Sequence, residues 1–250
     1  MRISEIPSLL YDAALALVYP QTCDVCGSSV ESRIDGVACA TCWSETRIFS
    51  GDETICWKCG VEARGQVPDE KRREVFCRRC DESLFTAARA CGVYEGALRA
   101  SILSLKRQPN VGAGLARLMF ETQQREPLDS ATRIVPVPLH PKRQRERGFN
   151  QATELGRALA SLTGLPLDEW SLVRTIHTER HRAGMDAQTR RESVEAAFEV
   201  KHPRLIAGAS VLLIDDVFTT GATVSACASA LQSAGAQEVF VLTVARPVAS

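Results

Sequence analysis

The sequence of 250 residues has no excess of either charge and no long apolar run. Its 30 lysines and arginines balance 30 aspartates and glutamates, so no overall positive field marks a binder of nucleic acid or membrane surfaces. No run approaches the roughly 18 apolar residues of a transmembrane helix, and the first helix-like stretch, 6–18, is interrupted by Pro7 and Asp12. We therefore expect no membrane contact. Apolar residues make up 45% of the chain, enough for the core of one large domain or two smaller ones.

A convincing secretory signal is also missing from the sequence. Ala14–Ala16 resembles a cleavage site, but Glu5 and Asp12 place acids where a signal peptide is apolar, and only Arg2 precedes them. We expect the chain to stay in a compartment where thiols are reduced.

Eight of the ten cysteines form four CxxC pairs in one segment. Each CxxC turn places two thiolates on one knuckle, and two facing knuckles complete a tetrahedral zinc site with four sulfur ligands. Such a site has no open position, so the zinc is structural and supplies folding energy to a small, polar segment. Sequential pairing of the knuckles is simplest, and interleaved pairing stays open. The predicted ligands of the two zinc ions are Cys23, Cys26, Cys39, Cys42, Cys56, Cys59, Cys77 and Cys80.

Two other interpretations of the cysteine pairs are weaker. A disulfide framework would need an oxidising compartment, and a redox CxxC motif usually occurs singly between a strand and a helix. Cys91 and Cys227 lie among small apolar residues and are expected to be buried free thiols. The four histidines lack ligand spacing and receive no metal role. Trp43 and Trp57 lie beside knuckles, and we expect them to pack over the metal sites rather than stack on bases.

From about residue 88 the cysteine knuckles give way to alternating strand-like and helix-like segments, which predict an α/β fold with a parallel sheet flanked by helices. The runs 134–137 and 211–214 are continuously apolar, as expected for strands covered on both faces. We predict an N-terminal helix in 1–20, a double zinc ribbon in 21–88 and the α/β domain in 89–250. The predicted strands are 91–94, 134–137, 211–214 and 238–244, and the predicted helices are 96–105, 113–124, 151–162 and 222–234.

The segment 211–224 lies where parallel sheets place their sites, at the carboxyl end of a buried strand. The strand runs into Asp215 and Asp216, and a hydroxyl-rich turn then opens a helix. Backbone N–H groups, threonine hydroxyls and the helix dipole converge there, which predicts a phosphate cradle, and Gly221 lets the backbone close around the anion. The two acids suit ribose hydroxyls or Mg²⁺. The pattern favours a sugar phosphate, and an ordinary capped turn is the alternative.

Two basic segments could complete such a site. The first follows strand 134–137, and its four cations against one acid in 142–147 could neutralise a pyrophosphate. The second, 174–191, is arginine-rich and is typical of a mobile flap. An ordinary solvated surface remains the alternative for both segments.

The acidic pair followed by a TTGxT turn resembles the phosphoribosyl-pyrophosphate signature of type I phosphoribosyltransferases. The resemblance implies that Asp215 and Asp216 contact the ribose 2′ and 3′ hydroxyls. It also implies that a loop holds the 5′ phosphate, and the loop residues are Thr219, Thr220, Gly221, Ala222 and Thr223.

The whole chain resembles the ComF family, also described under the GntX and ComFC names, in which a double zinc ribbon precedes a phosphoribosyltransferase domain. Besides the knuckles and the phosphate loop, the matching segments are 94–96 with 105–106, 135–140, 147–151, 183–185 and 190–198. The resemblance implies that Lys106 lies on the pyrophosphate side, with Arg147 and Asn150 near the same pocket. Arg182 and Ser193 depart from the family pattern, so neither receives a role.

The ComF resemblance also implies a bacterial cytoplasmic protein linked to natural transformation and single-stranded DNA. Two functions follow. The first is an enzyme that transfers a phosphoribosyl group, with Mg²⁺ accompanying the pyrophosphate, to an unidentified acceptor through an oxocarbenium-like state. The second is a module that grips single-stranded DNA while the ribbons dock a helicase or another competence protein. Residues 1–90 carry 11 basic against 14 acidic residues, so we expect DNA contacts at the basic loops instead. The residues expected to act in the transfer are Asp215, Asp216, Lys106, Arg143, Arg145 and Arg147.

Overall fold

The computed structural model describes residues 21–30, 36–63, 65, 67–175 and 197–248. Two small cysteine-rich lobes come first. Strands β1 (Gln21–Thr22) and β2 (Ser29–Val30) form an antiparallel hairpin, and the short helix α1 (Ala40–Glu45) follows. The second lobe is built from turns, an isolated bridge between Ile55 and Glu62, and two 3₁₀ turns. The predicted helix in residues 1–20 lies outside the described residues.

The remainder of the described chain alternates strands and helices. The strands are β3 (Ala87–Val93), β4 (Arg133–Pro136), β5 (Leu172–Arg174), β6 (Phe198–Val200), β7 (Ser210–Val217) and β8 (Glu238–Arg246). Strands β3, β8, β7 and β4 lie in that order in one sheet, and every pair is parallel, while β5 and β6 form a separate antiparallel ribbon. The helices are α2 (Gly96–Leu105), α3 (Ala113–Gln123), α4 (Pro141–Arg147), α5 (Gln151–Thr163), α6 (Pro203–Ile206) and α7 (Ala222–Ser233).

The predicted α/β fold with a helix-flanked parallel sheet is confirmed, and the eight predicted elements appear with shifts of a few residues. The largest shift concerns β3, which begins at Ala87 rather than at residue 91. Its first four residues are small or basic, which hides a buried strand from a hydrophobicity pattern. The predicted division into domains at residue 88 falls inside this strand, and it stays a prediction.

The strands of the sheet are buried on both faces, which explains their continuous apolar runs. On β7, Val211 and Leu213 face a core that contains residues of α7 together with Cys56, Cys59 and Cys80 of the second lobe. Leu212 and Ile214 face a second core, formed with α2, α3 and α5. All four side chains are fully buried. The second cysteine-rich lobe therefore shares an apolar core with the strand that carries the acid pair.

Backbone contacts fasten the second lobe to the edge strand β3. The amide of Ala88 donates to the Lys58 carbonyl over 2.7 Å, and the Arg89 guanidinium donates to the Trp57 carbonyl over 2.8 Å while lying 4.9 Å above its indole ring. Gly60 adopts a φ of +69°, and a Cβ there would meet the Ala88 carbonyl oxygen at 2.6 Å. Only glycine allows this close approach.

The basic segment 142–147, predicted as a loop, is instead the helix α4. The prediction was wrong because capping residues on either side of the segment stabilise a helix. The His140 side chain accepts a hydrogen bond from the Lys142 amide, Pro141 occupies the first turn, and Gly148 ends the helix at a φ of +85°. The second basic segment lies almost wholly outside the described residues, since the structure describes only its first two positions, 174 and 175.

Within the described ranges, no helix has the length and apolarity that crossing a bilayer requires. Cys91 and Cys227 are fully buried free thiols, as expected, and burial raises the pKa of Cys91 to about 12. Their burial keeps them from redox chemistry at the surface.

Candidate functional site: two cysteine clusters and an acidic strand end beside a phosphate loop

The eight CxxC cysteines form two clusters, each joining consecutive knuckles. The sequential pairing is thereby confirmed for the described chain. In each cluster all four sulfur atoms lie within 4.8 Å of one another. The first cluster is Cys23, Cys26, Cys39 and Cys42, and the second is Cys56, Cys59, Cys77 and Cys80.

The sulfur geometry fits zinc and does not fit disulfides. The Sγ atoms of Cys23 and Cys42 lie 3.7 Å apart, and those of Cys56 and Cys80 lie 3.5 Å apart. A tetrahedron with Zn–S bonds of about 2.3 Å has S···S edges of about 3.8 Å, whereas a disulfide bond is only about 2.05 Å long. Backbone amides also point at the sulfurs, as the Cys77 amide does toward Cys56 Sγ over 3.3 Å. The residues present therefore suit two structural zinc ions.

The tryptophans beside the knuckles have different surroundings. Trp43 packs against the first cluster, as expected. Trp57 instead has two guanidinium groups over its ring, Arg89 at 4.9 Å and Arg73 at 5.6 Å from the ring centre. The cation–π contact with Arg89 therefore helps to hold Trp57 against β3.

The acid pair lies at the carboxyl end of β7, next to the end of β4. Val137 donates its amide to the Ile214 carbonyl over 2.9 Å, so the chain leaving β4 toward α4 passes beside Asp215. The Asp215 carboxylate accepts the Asp216 amide over 2.8 Å. Lys106, which ends α2, places its Nζ 3.6 Å from Asp216 Oδ2. Two acids and a lysine, distant in sequence, thus meet at one edge of the sheet.

Asp215 is the more perturbed of the two acids. Burial and the neighbouring charge of Asp216 raise the pKa of Asp215 to about 7, although Lys106 acts in the opposite direction. The carboxyl group therefore changes charge near neutral pH, which is frequent at functional sites and uncommon on an ordinary surface.

This pKa predicts a pH-dependent difference between the wild type and Asp215→Asn. An unfolded aspartate ionises near pH 4, whereas folded Asp215 resists ionisation up to about pH 7. Raising the pH toward 7 therefore costs the folded wild type up to about 1.4 kcal/mol per pH unit, a cost that asparagine does not have. Denaturant unfolding from pH 5.5 to 8 should show the free energy of unfolding of the variant rising relative to that of the wild type until about pH 7. At higher pH the difference between the two proteins should stay constant. A margin independent of pH would contradict the assigned pKa.

The loop after β7 is shaped by Gly221. Its φ of +79° is left-handed, and a Cβ there would lie 2.8 Å from Cζ of Phe218. The Ala222 amide donates to the Thr220 hydroxyl over 3.4 Å, and Thr219 and Thr220 are exposed. The loop leads into α7, a helix of 12 residues. The first N–H groups of a helix point out of its N-terminal end, which here is the end that joins the loop. The binding of an anion by this loop stays a prediction.

The remaining predicted cations are Arg143, Arg145 and Arg147, which all lie on α4. Burial lowers the pKa of Arg174 and the charge of Arg143 adds to this effect, while the charge of Asp215 acts in the opposite direction. Arg143 itself is exposed on α4. Arg145 and Arg147 are exposed on α4, and within the described ranges neither makes an ion pair with the acids. Asn150 caps α5 and donates to the Val137 carbonyl, which fixes the end of β4.

Sequence reasoning missed Arg246. Its guanidinium lies 5.3 Å from the Phe218 ring centre and donates to the Cys59 carbonyl over 2.8 Å, so it links the phosphate loop to the second cysteine cluster. The available signal was its position at the carboxyl end of the central strand β8.

Comparison with known proteins supports both halves of this architecture. The double zinc ribbon domain family matches residues 14–72, and the phosphoribosyl transferase domain family matches residues 145–249. The structure extends the second zinc site beyond the first match, since Cys77 and Cys80 lie outside it. Lys106 and Arg143 precede the second match.

Three curated proteins illustrate the relatives. The DNA utilization protein YhgH of Salmonella typhimurium is 29% identical over 93% of each chain. Competence protein ComFC of Bacillus subtilis is 27% identical over 77% of this chain and 84% of its own. Competence protein F of Haemophilus influenzae is 33% identical over 53% of this chain and 59% of its own. The chain thus joins a double zinc ribbon to a phosphoribosyl transferase domain and is similar over most of its length to DNA utilization protein YhgH and competence protein ComFC.

Proposed function

We propose that this protein binds phosphoribosyl pyrophosphate at the carboxyl ends of β4 and β7 and acts in the uptake or handling of DNA or its nucleotides. One observation carries the proposal. The acid pair, the glycine-shaped loop at the start of α7 and Lys106 converge at one sheet edge, although they come from three separate elements. A solvated capping turn would not need a partly buried carboxyl group with a lysine facing its neighbour.

Each part of this site suits one part of the ligand. The carboxylates of Asp215 and Asp216 accept hydrogen bonds from the ribose hydroxyls. The amides of the loop and the threonine hydroxyls surround the 5′ phosphate. Lys106 lies beside the acids and would contact the pyrophosphate, which the exposed Arg143 of α4 would also reach. Mg²⁺, which prefers oxygen ligands and substrate phosphates, would neutralise pyrophosphate charge. Oxygen donors at this edge fit such an ion.

The same arrangement can support group transfer. In the transfer, the bond from C1 of the ribose to the pyrophosphate oxygen breaks and its electron pair leaves with the pyrophosphate, while a nucleophile of the acceptor bonds to C1. The cations stabilise the negative charge that develops on the leaving group, and the acids stabilise the positive charge on the sugar ring. The proposal therefore includes catalysis of this transfer by the chain, an acceptor for the phosphoribosyl group and a cytoplasmic location.

Two observations support the proposed role of the protein in DNA handling, the names of its relatives and the exposed surface of α4. Relatives that align with most of the chain are named for DNA utilization and competence. The four basic side chains of α4 are all exposed, so they can reach a phosphate backbone. In the alternative function, this helix grips single-stranded DNA while the ribbons dock a helicase or another competence protein, and the sugar-phosphate site has no ligand of its own.

Calorimetric titration with phosphoribosyl pyrophosphate and Mg²⁺ in phosphate-free buffer tests the proposal. The wild-type protein, loaded with zinc, should bind. Asp215→Asn/Asp216→Asn should bind at least about 100-fold more weakly, because hydrogen bonds to a charged group contribute about 1.5–3 kcal/mol each. Asp129→Asn removes an exposed carboxylate in a distant turn and should bind like the wild type.

Two results would overturn the proposed function. One is an absence of wild-type binding, and the other is equal binding by all three proteins. In the first case, salt-dependent binding of an oligodeoxythymidine that is lost in Arg143→Glu/Arg145→Glu would support the DNA-binding alternative instead.

A further inference from the structure

The two cysteine clusters lie in segments of opposite charge. From its first to its last ligand, the segment of the first cluster, 23–42, carries one basic and three acidic residues. The corresponding segment of the second cluster, 56–80, carries seven basic and four acidic residues. Four thiolates around one Zn²⁺ have a net charge of about −2. The chain around the second cluster therefore offsets the charge of its zinc site, and the chain around the first cluster adds to it.

Folding brings two arginines from the sheet onto the second cluster. The guanidinium of Arg89, which is buried, donates to the Trp57 carbonyl over 2.8 Å. That of Arg246 donates to the Cys59 carbonyl over 2.8 Å. The wall of one cavity beside this cluster includes Arg79, Arg246, Cys59, Cys77 and Cys80. Positive side chains therefore adjoin both knuckles of the second cluster.

The first cluster has no comparable set of cations among the described residues. The cation at its knuckles there is Arg107, whose Nη2 lies 2.9 Å from Asp24 Oδ2, so an acid of the same knuckle neutralises it. Cys26 is exposed, whereas the most accessible ligand of the second cluster, Cys77, is partly buried. Backbone amides donate to a sulfur atom in each cluster and do not distinguish the two. The first cluster therefore presents an exposed thiolate in a segment of negative charge.

Charge near a zinc-bound thiolate changes its reactivity in one direction. Thiolates that hold zinc are already deprotonated, so a neighbouring cation cannot increase the fraction that reacts. It lowers their nucleophilicity instead, because it stabilises the negative charge on sulfur, and a tenfold more acidic thiol gives a thiolate that attacks about threefold more slowly. Charge and exposure thus both favour attack at the first cluster.

We propose that the first cluster is a peroxide-reactive zinc site and that the second is inert. Cys26 Sγ attacks one oxygen of hydrogen peroxide, the O–O bond breaks, and hydroxide leaves a sulfenic acid behind. A second thiolate, such as Cys39 with its Sγ 3.7 Å away, attacks this sulfur and displaces another hydroxide. Two thiolates are thereby oxidised to a disulfide and peroxide is reduced to two hydroxide ions, while the zinc ion loses two ligands and dissociates. The proposal does not depend on ligand binding at the acid pair.

Treatment of the zinc-loaded protein with excess hydrogen peroxide, followed with a colorimetric zinc indicator, tests the proposal. We expect two phases of one zinc ion each, the first at least about tenfold faster. Cys59→Ser, which keeps the first site, should show only the fast phase, and Cys26→Ser, which keeps the second, only the slow phase. After the fast phase, alkylation and mass spectrometry should find Cys26 in a disulfide and the second cluster reduced.

A charge exchange in the first knuckle tests the physical cause. Asp24→Arg/Val25→Arg gives this knuckle the CRRC sequence of the second cluster, and both positions are exposed. We expect the fast phase to become at least about threefold slower, whereas Asp129→Arg, in a distant exposed turn, should leave it unchanged. Equal release from both sites, faster release from the second, or an unaltered fast phase in the double-arginine variant would each overturn the proposal.

Discussion

Removing zinc from the second cysteine cluster is expected to loosen the phosphate loop more than 130 residues away in sequence. Cys56, Cys59 and Cys80 belong to the same buried core as Phe218 and Val224, and structural zinc contributes on the order of 10 kcal/mol to the folding of such a lobe. Cys59→Ser should therefore bind one zinc ion instead of two and lose much of that stabilisation.

The path from this zinc site to the loop runs through Arg246. The Cys59 carbonyl accepts its hydrogen bond, and its guanidinium lies over the Phe218 ring, which also contacts Phe85 edge-on at 5.8 Å. When the knuckle unfolds, Arg246 loses its acceptor. Hydrogen exchange should then show faster exchange at 218–222, and phosphoribosyl pyrophosphate should bind more weakly.

Cys26→Ser is the matched control for this prediction. It also reduces zinc from two ions to one, but the first cluster packs with Ala97 at the start of α2 rather than with the loop. We expect this variant to keep wild-type exchange at 218–222. If Cys59→Ser bound one zinc ion per chain and its loop exchanged as slowly as that of the wild type, the second lobe would not be what stabilises the loop.

The sequence predicted the sheet because its central strands are unambiguous. Four successive apolar residues, such as 211–214, are buried on both faces, and an acid pair at the end of such a strand marks a site. The cysteine spacing predicted both zinc sites for a similar reason, since CxxC turns impose local geometry. Where a short pattern alone determines the structure, sequence reasoning was sufficient.

Pairwise contacts between distant segments could not be predicted in this way. No spacing joins Lys106 to Asp216 or Arg246 to Cys59, because these pairs meet only after the sheet and the second lobe have packed. The prediction that Lys106 lies on the pyrophosphate side came from family resemblance alone. The helix α4 is a different case, since its capping residues are present in the sequence although the segment was predicted to be a loop.

Gly221→Ala is expected to damage the phosphate loop while leaving the fold intact. Alanine at a φ of +79° costs about 1–2 kcal/mol, and its Cβ would lie 2.8 Å from Phe218, too close for contact. The ring cannot move freely, since Phe85 and Arg246 contact it. We expect a total loss of about 2–4 kcal/mol in the free energy of unfolding and at least about 30-fold weaker binding of phosphoribosyl pyrophosphate.

The variant Gly164→Ala measures the cost of placing alanine in a left-handed backbone conformation without the cost of a steric overlap. Gly164 has a similar φ of +72°, but a Cβ there would meet no atom within 4 Å, and it ends α5 away from the loop. This variant should lose only about 1 kcal/mol of stability and bind the ligand like the wild type. In Phe218→Leu/Gly221→Ala the smaller side chain relieves the overlap, so part of the lost affinity should return. If Gly221→Ala and Gly164→Ala bound equally well, close packing of Phe218 on the glycine would not be what shapes the anion site.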